Sequence, residues 1–228
     1  MKTRLNLRRL TKDEIIWRHS HFCKHGHTYL EHPACLVAEN PKDSPSFEKI
    51  GFFDIESEGL NANWAYVISY AIYDGKKIYG RVLTKKEIIN PHLRDKNLMK
   101  EMCNTLRQFD RVIVYWGGNR RHDIPFSRTR CLKWGIVFPL YGEVYVTDLY
   151  DVVRNKLKLQ SNRMEVPCAL CKIPAKTHPL NPEIWEDALS GTKRALNYIW
   201  IHNKEDVISM YQLWCKLEGF IRKTKTSI

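Results

Sequence analysis

Long apolar runs are missing from this sequence: the longest, Ala65 to Tyr73, is less than half of the roughly 20 residues that a membrane span requires, so no transmembrane helix is expected. A leader core is missing too, because the first twelve residues carry five basic groups and then run into Asp13 and Glu14 instead of an apolar h-region. There is no internal repeat and no low-complexity tract long enough to matter, which argues against a repeat array. Cysteines are few and odd in number, seven at irregular spacings, which fits thiols or metal ligands in a reducing, cytoplasmic setting better than a disulfide framework. Acids are scarce: 25 Asp and Glu face 37 Lys and Arg in 228 residues, a formal charge of +12. What is present is enough apolar material, 43% hydrophobic and 11% aromatic, to build the core of one ordinary domain with an appendage. A soluble chain with a polyanionic partner is the first expectation.

Polar, breaker-rich residues from Glu39 to Ser46 separate a basic and His/Cys-rich segment, residues 1–46, from a more regular remainder, residues 47–228. In the remainder KIGFFDIES and Trp64 to Tyr73 read as strands, and Asp74-Gly75 marks a hairpin before a third strand, KKIYGRVL. Leu98, Met102, Leu106 and Phe109 then recur at helical spacing, and RVIVY is a short apolar strand. Ile124 to Trp134 reads as a helix, Glu143 to Val146 as a strand, Asp148 to Leu157 as a helix, and Thr192 to Phe220 as a long last helix. The expected architecture is an α/β mixed sheet in the order β-β-β-α-β-α-β-α with flanking helices.

Against the basic background, the positions of the acids matter. Asp54 and Glu56 are two apart, so on a strand they share one face while Phe53 and Ile55 take the other. Carboxylates held together repel unless a cation sits between them, which makes the pair a candidate site for hard divalent ions; a solvated strand end is the plainer alternative. Asp123 opens a helix after the glycine pair Gly117-Gly118, where it serves either as a cap or as a lone carboxylate among the six basic residues of Arg111 to Lys133. His202 and Asp206 are four apart on the last helix, one turn from each other and able to address one site, though such pairs also occur on ordinary surfaces.

In their order, FDIES with its hairpin, VIVYWGG with HDIPFSRTR, and ALNYIWIHNKEDV resemble the three motifs of the DEDD 3′-to-5′ exonucleases of the ribonuclease H-like superfamily. More narrowly, they are similar to stand-alone prokaryotic and phage exonuclease domains related to the proofreading domain of family B DNA polymerases. The resemblance runs from about Lys49 to Trp214 and implies a ribonuclease H-like fold. It implies Asp54, Glu56, Asp123 and Asp206 as ligands of two Mg²⁺ or Mn²⁺, with His202 as general base. Two positions depart from the family pattern. His202 stands four before the last Asp, the spacing usual for a Tyr, and Gly117-Gly118 and His122 replace the usual Asn-Gly pair and aromatic residue. The implied activity is exonucleolytic hydrolysis of single-stranded nucleic acid, DNA slightly ahead of RNA. A ribonuclease H-like endonuclease on structured or hybrid substrates and a degenerate binding module are the alternatives.

Arg120, Arg121, Arg128 and Arg130 are the expected backbone contacts, with Trp116, Trp64 and Phe126 as candidate stacking platforms. A separate cluster, His19 to Cys35, is dense in histidine and cysteine. Cys23, His27, His32 and Cys35 have the spacing of a structural Zn²⁺ site, with His25 as the alternative to His27. Cys168 and Cys171 read as packing residues, or as completing that site.

Overall fold

The computed structural model describes residues 10, 12–39, 41, 48–221 and 226–228, so most of the basic segment 1–12 and of the linker 39–46 lies outside the described residues. The chain divides into two compact units, Met1–Lys49 and Ile50–Ile228. The first contains helices α1 (Lys12–Ser20) and α2 (Pro33–Glu39). The second contains β1 (Ile50–Ser57), β2 (Val67–Tyr73), β3 (Ile78–Val82), α3 (Lys85–Ile89), α4 (Lys96–Leu106), β4 (Arg111–Val114), α5 (Asp123–Trp134), β5 (Tyr145–Asp148), α6 (Leu149–Lys156), α7 (Glu165–Leu170), α8 (Pro182–Leu189) and α9 (Lys193–Leu217).

The sheet has the order β3-β2-β1-β4-β5. β1, β2 and β3 pair antiparallel as a meander, and β4 and β5 extend the sheet in parallel from β1. This is the expected α/β order, with the short α3 added between β3 and α4. The hairpin turn forms where Asp74-Gly75 indicated: Asp74 Oδ1 accepts the N–H groups of Lys76 and Lys77 at 2.8 and 2.7 Å, and Gly75 takes a φ of +89°. The second strand starts later than expected, at Val67, because residues 61–65 close a turn in which the Trp64 N–H donates to Asn61 O.

The period-2 alternation of the strands creates two cores. Phe53, Ile55, Val112 and Val114 face one side, with Leu98, Met102, Leu106 and Ile124 of α4 and α5. Phe52, Ala71 and Ile113 face the other, with Leu149 and Val153 of α6 and Val207, Met210 and Leu213 of α9. Helix α9 serves both cores in turn: Ala195, Leu196 and Ile199 belong to the first, and Val207 to Leu217 to the second. The residues between these stretches, 202–206, are thereby carried past the end of β1. Among the described residues no helix is long and apolar enough to cross a membrane.

Candidate active site

The face of β1 that buries Phe52 against α9 continues along the strand to Asp54 and Glu56. The pairing register with β2 shifts between Glu56 and Ser57. Such a bulge bends the strand and ends its regular pairing immediately past the second acid. Across from the two acids, α9 presents His202 and Asp206 one turn apart. His202 Nε2 lies 3.1 Å from Asp206 Oδ2 and 3.5 Å from Glu56 Oε1, and ligating atoms of Glu56, His202 and Asp206 all fall within 4.8 Å of one another.

Asp123, at the start of α5, is outside that three-residue group but near enough to Asp54 and Asp206 for their charges to act on it, and the preceding glycine permits its position. A Cβ on Gly117 would stand 2.0 Å from Asp123 Oδ2, so no other residue leaves room for the carboxylate there. Asp123 Oδ2 is buried without a hydrogen-bond partner among the described residues. An orphaned carboxylate oxygen of this kind costs free energy unless something positive meets it.

The electrostatics agree. Asp54 is pushed up to about 7, first by burial and then by the charge of Asp206. Glu56 and Asp123 are held well above the ordinary carboxylate range, in both cases by burial first and then by the charge of Asp54. For His202 burial disfavours the proton, but the hydrogen bond to Asp206 and its charge outweigh that and raise the imidazole. His202 Nδ1 is engaged by the backbone carbonyl of His178 at 2.5 Å. Nε2 is therefore the ring atom directed at the carboxylates. The protein gathers more buried negative charge than its own cations offset, and the donors are all hard oxygens apart from one imidazole. That set fits divalent cations of the Mg²⁺ or Mn²⁺ type.

Two participants were not legible as site residues. Lys176, in the connection between α7 and α8, forms an ion pair with Asp206 Oδ1 and lowers the pKa of both Asp54 and Glu56 through its charge. Asn203, fully buried on α9, donates from Nδ2 to Asp54 Oδ2 at 2.6 Å while its Oδ1 accepts from Ser69 Oγ at 3.0 Å, fixing the Asp54 carboxylate from below.

The basic residues separate into different roles. Arg130 is not a surface contact: its side chain is fully buried in a bidentate pair with Asp95, at 2.7 and 2.6 Å, and it also donates to Ala62 O. Its charge is consumed inside the fold, which corrects its expected role in binding nucleic acid. Arg121 pairs with Asp148 and Asp151, and Arg128 donates to Asn119 Oδ1. Arg120 is exposed. A cleft of about 710 Å³ is lined by Arg120, Arg121, Asp148, Asp151, Arg154 and Lys156 among others, but by none of the five acid-site residues. Of the aromatic candidates, Phe126 is core, whereas Trp64 is 81% and Trp116 50% exposed. Trp116 adopts a φ of +59°, an uncommon conformation for a bulky residue.

In the first unit Cys23, His32 and Cys35 come together as expected, but the fourth group is His25 rather than His27. Cys168 is buried in the second core and Cys171 packs beside it.

Residues 51–217 match the model of a family described as the RNase_H superfamily. No curated protein matches the chain.

Proposed function

The chain belongs to the RNase H superfamily, and from that premise we propose that it is a metal-dependent 3′-to-5′ exonuclease hydrolysing phosphodiester bonds of single-stranded nucleic acid, DNA slightly ahead of RNA. The observation that carries the proposal is that Asp54 and Glu56 from β1, Asp123 from α5, and His202 and Asp206 from α9 act on one another's charge in one partly buried, under-neutralised site. Asp54, Glu56, Asp123 and Asp206 would hold two Mg²⁺ or Mn²⁺. When bound, such ions activate water and stabilise the charge that develops on the departing oxygen.

The chain's own residues supply the rest. Nδ1–H is donated to the His178 carbonyl, so His202 would take the proton from the attacking water at Nε2 in its neutral form, after Nε2 has given up the proton it shares with Asp206, and Asp206 then steadies the imidazolium that results. Asn203 keeps Asp54 in register with Ser69 on β2. Arg120 and Arg128 lie on the segment around Asp123 and meet phosphates, Arg121 being committed to Asp148 and Asp151, while the exposed rings of Trp64 and Trp116 offer faces on which bases stack.

Oligonucleotides of DNA and RNA labelled at the 5′ end, incubated with Mg²⁺ or Mn²⁺ beside an Asp54→Asn control, test this reading. A ladder shortening from the 3′ end, absent in the control, is the expected result. Discrete internal cuts would replace it with an endonuclease, and retardation without cleavage with a binding module.

Lys176 gives a second test. Its ammonium offsets part of the carboxylate repulsion that divalent ions offset when bound. Lys176→Met is expected to lower the stability of the chelated protein at pH 8 by about 1–2 kcal/mol, as for a partly buried ion pair. Saturating Mg²⁺ should erase most of the difference in thermal denaturation. A deficit equally large with and without Mg²⁺ would reduce Lys176 to a packing residue.

A further inference from the structure

We propose that Cys23, His25, His32 and Cys35 form a structural Zn²⁺ site that holds the first unit together, independent of the acidic site. Three features of the unit point to it. The first is donor geometry. His25 Nδ1 lies 3.8 Å from Cys23 Sγ and 3.4 Å from Cys35 Sγ, His32 Nδ1 lies 3.1 Å from Cys35 Sγ, and all four donors fall within 4.8 Å of one another. A tetrahedral ion with Zn–S of about 2.3 Å and Zn–N of about 2.0–2.1 Å separates its ligands by roughly 3.3–3.8 Å. The three separations of 3.1, 3.4 and 3.8 Å lie close to that range, and the remaining ones are no longer than 4.8 Å.

The second feature is the backbone that presents them. Phe22 and Thr28 bridge, the Cys23 N–H donates to His27 O, and the Gly26 N–H donates to Cys23 O, with Gly26 at a φ of +79°. This tight loop turns His25 back over Cys23 and leaves His27 on the returning arm. The second pair sits at the start of α2, where the Cys35 N–H donates to His32 O. A turn and a helix start, each contributing one thiolate and one imidazole, close all four positions with protein atoms, as in a structural site with no open coordination.

The third feature is how small the apolar core of the unit is among the described residues. Its buried apolar cluster consists of Cys23, Tyr29, Cys35 and Leu36, with Trp17 packed against them. Two of those four are the sulfur ligands. So small a core does not offset chain entropy, and a metal whose binding energy becomes folding energy supplies what is missing. Two thiolates and two neutral imidazoles balance the charge of a divalent ion, and the soft sulfurs select Zn²⁺ over the Mg²⁺ or Mn²⁺ suited to the carboxylates; binding releases the two thiol protons to solvent.

Zinc content of the full chain, purified without a histidine tag, reads the proposal directly. About one equivalent per chain is expected, retained in His27→Ala and in Asp206→Asn, and falling below roughly a tenth in His25→Ala and Cys35→Ser. Because a variant that merely misfolds also loses zinc, the wild-type chain is reconstituted with Co²⁺, whose visible spectrum should carry the bands of tetrahedral thiolate ligation. Wild-type protein with under a tenth of an equivalent of zinc, a Co²⁺ form without thiolate bands, or full zinc retention by His25→Ala would each overturn it. Loss of zinc in Asp206→Asn alone would assign the ion to the acidic site instead.

Discussion

Asp54→Asn is expected to abolish cleavage while making the metal-free protein more stable, and the two effects have one cause. Asp54 is a half-buried carboxylate that faces the charges of Asp206 and Glu56. As a proposed ion ligand its loss should exceed the 10–100-fold effect of losing an outer-shell partner, so a fall in turnover of more than about a hundred-fold is expected. The stability effect follows from linkage. Its folded pKa of about 7 stands above the unfolded value of about 3.9, so the folded state binds the extra proton between those limits. Stability of the metal-free wild type therefore falls as pH rises from about 4 to about 7, and the penalty is complete above that. The amide carries no charge, and its oxygen can still accept from Asn203, so Asp54→Asn escapes the penalty. In chelator at pH 8 the variant should melt above wild type, the gap closing near pH 4 and reversing at pH 8 under saturating Mg²⁺. A variant that melts lower at pH 8 in chelator would show that Asp54 is held by favourable contacts and not strained by its neighbours.

What the sequence could reveal depended on the range of the interactions involved. Strands and helices were legible because each is written in a local period: the Phe52/Asp54/Glu56 and Phe53/Ile55 alternation assigns the two faces of β1, and the structure fills them with two different cores. The carboxylates were legible as an ordered set of motifs, although no spacing places Asp123 beside Asp54. Lys176 and Asn203 were not. A lysine in an irregular connection has no period, and its partner Asp206 is fixed only when α9 crosses the sheet. Asn203 sits beside His202, where a polar residue reads as exposed, yet its hydrogen bonds run to Ser69 and Asp54 on two strands. At the N-terminus the residue spacing admitted both His25 and His27, and only the turn at Gly26 distinguishes them.

Arg130 shows a signal that was present and outweighed. It stands in a run of basic residues, which suggested a phosphate contact, but it is also spaced from Phe126, Ser127 and Trp134 by the three and four residues that define the inner face of α5. The helix period decides its position, and burial then demands a counter-charge. Asp95, wholly buried, provides it and also accepts from Val67 N at 3.0 Å and Trp134 Nε1 at 2.8 Å. Arg130→Ala leaves that carboxylate without its cation and opens a cavity where the guanidinium stood. Such a loss costs about 3–5 kcal/mol, the range for breaking a buried pair by removing one partner. For a unit of this size that corresponds to a fall of roughly 6–20 °C in melting temperature. Asp95→Asn combined with Arg130→Met should cost less than the sum of the single changes, since each removes the charge that strands the other. Urea denaturation of the four proteins measures the coupling. The same variants separate folding from binding: Arg130→Met should leave the salt dependence of nucleic-acid affinity unchanged, whereas Arg120→Ala should reduce its slope by about one phosphate contact. An Arg130→Ala protein within about 0.5 kcal/mol of wild type would return the residue to the surface role that its basic neighbours implied.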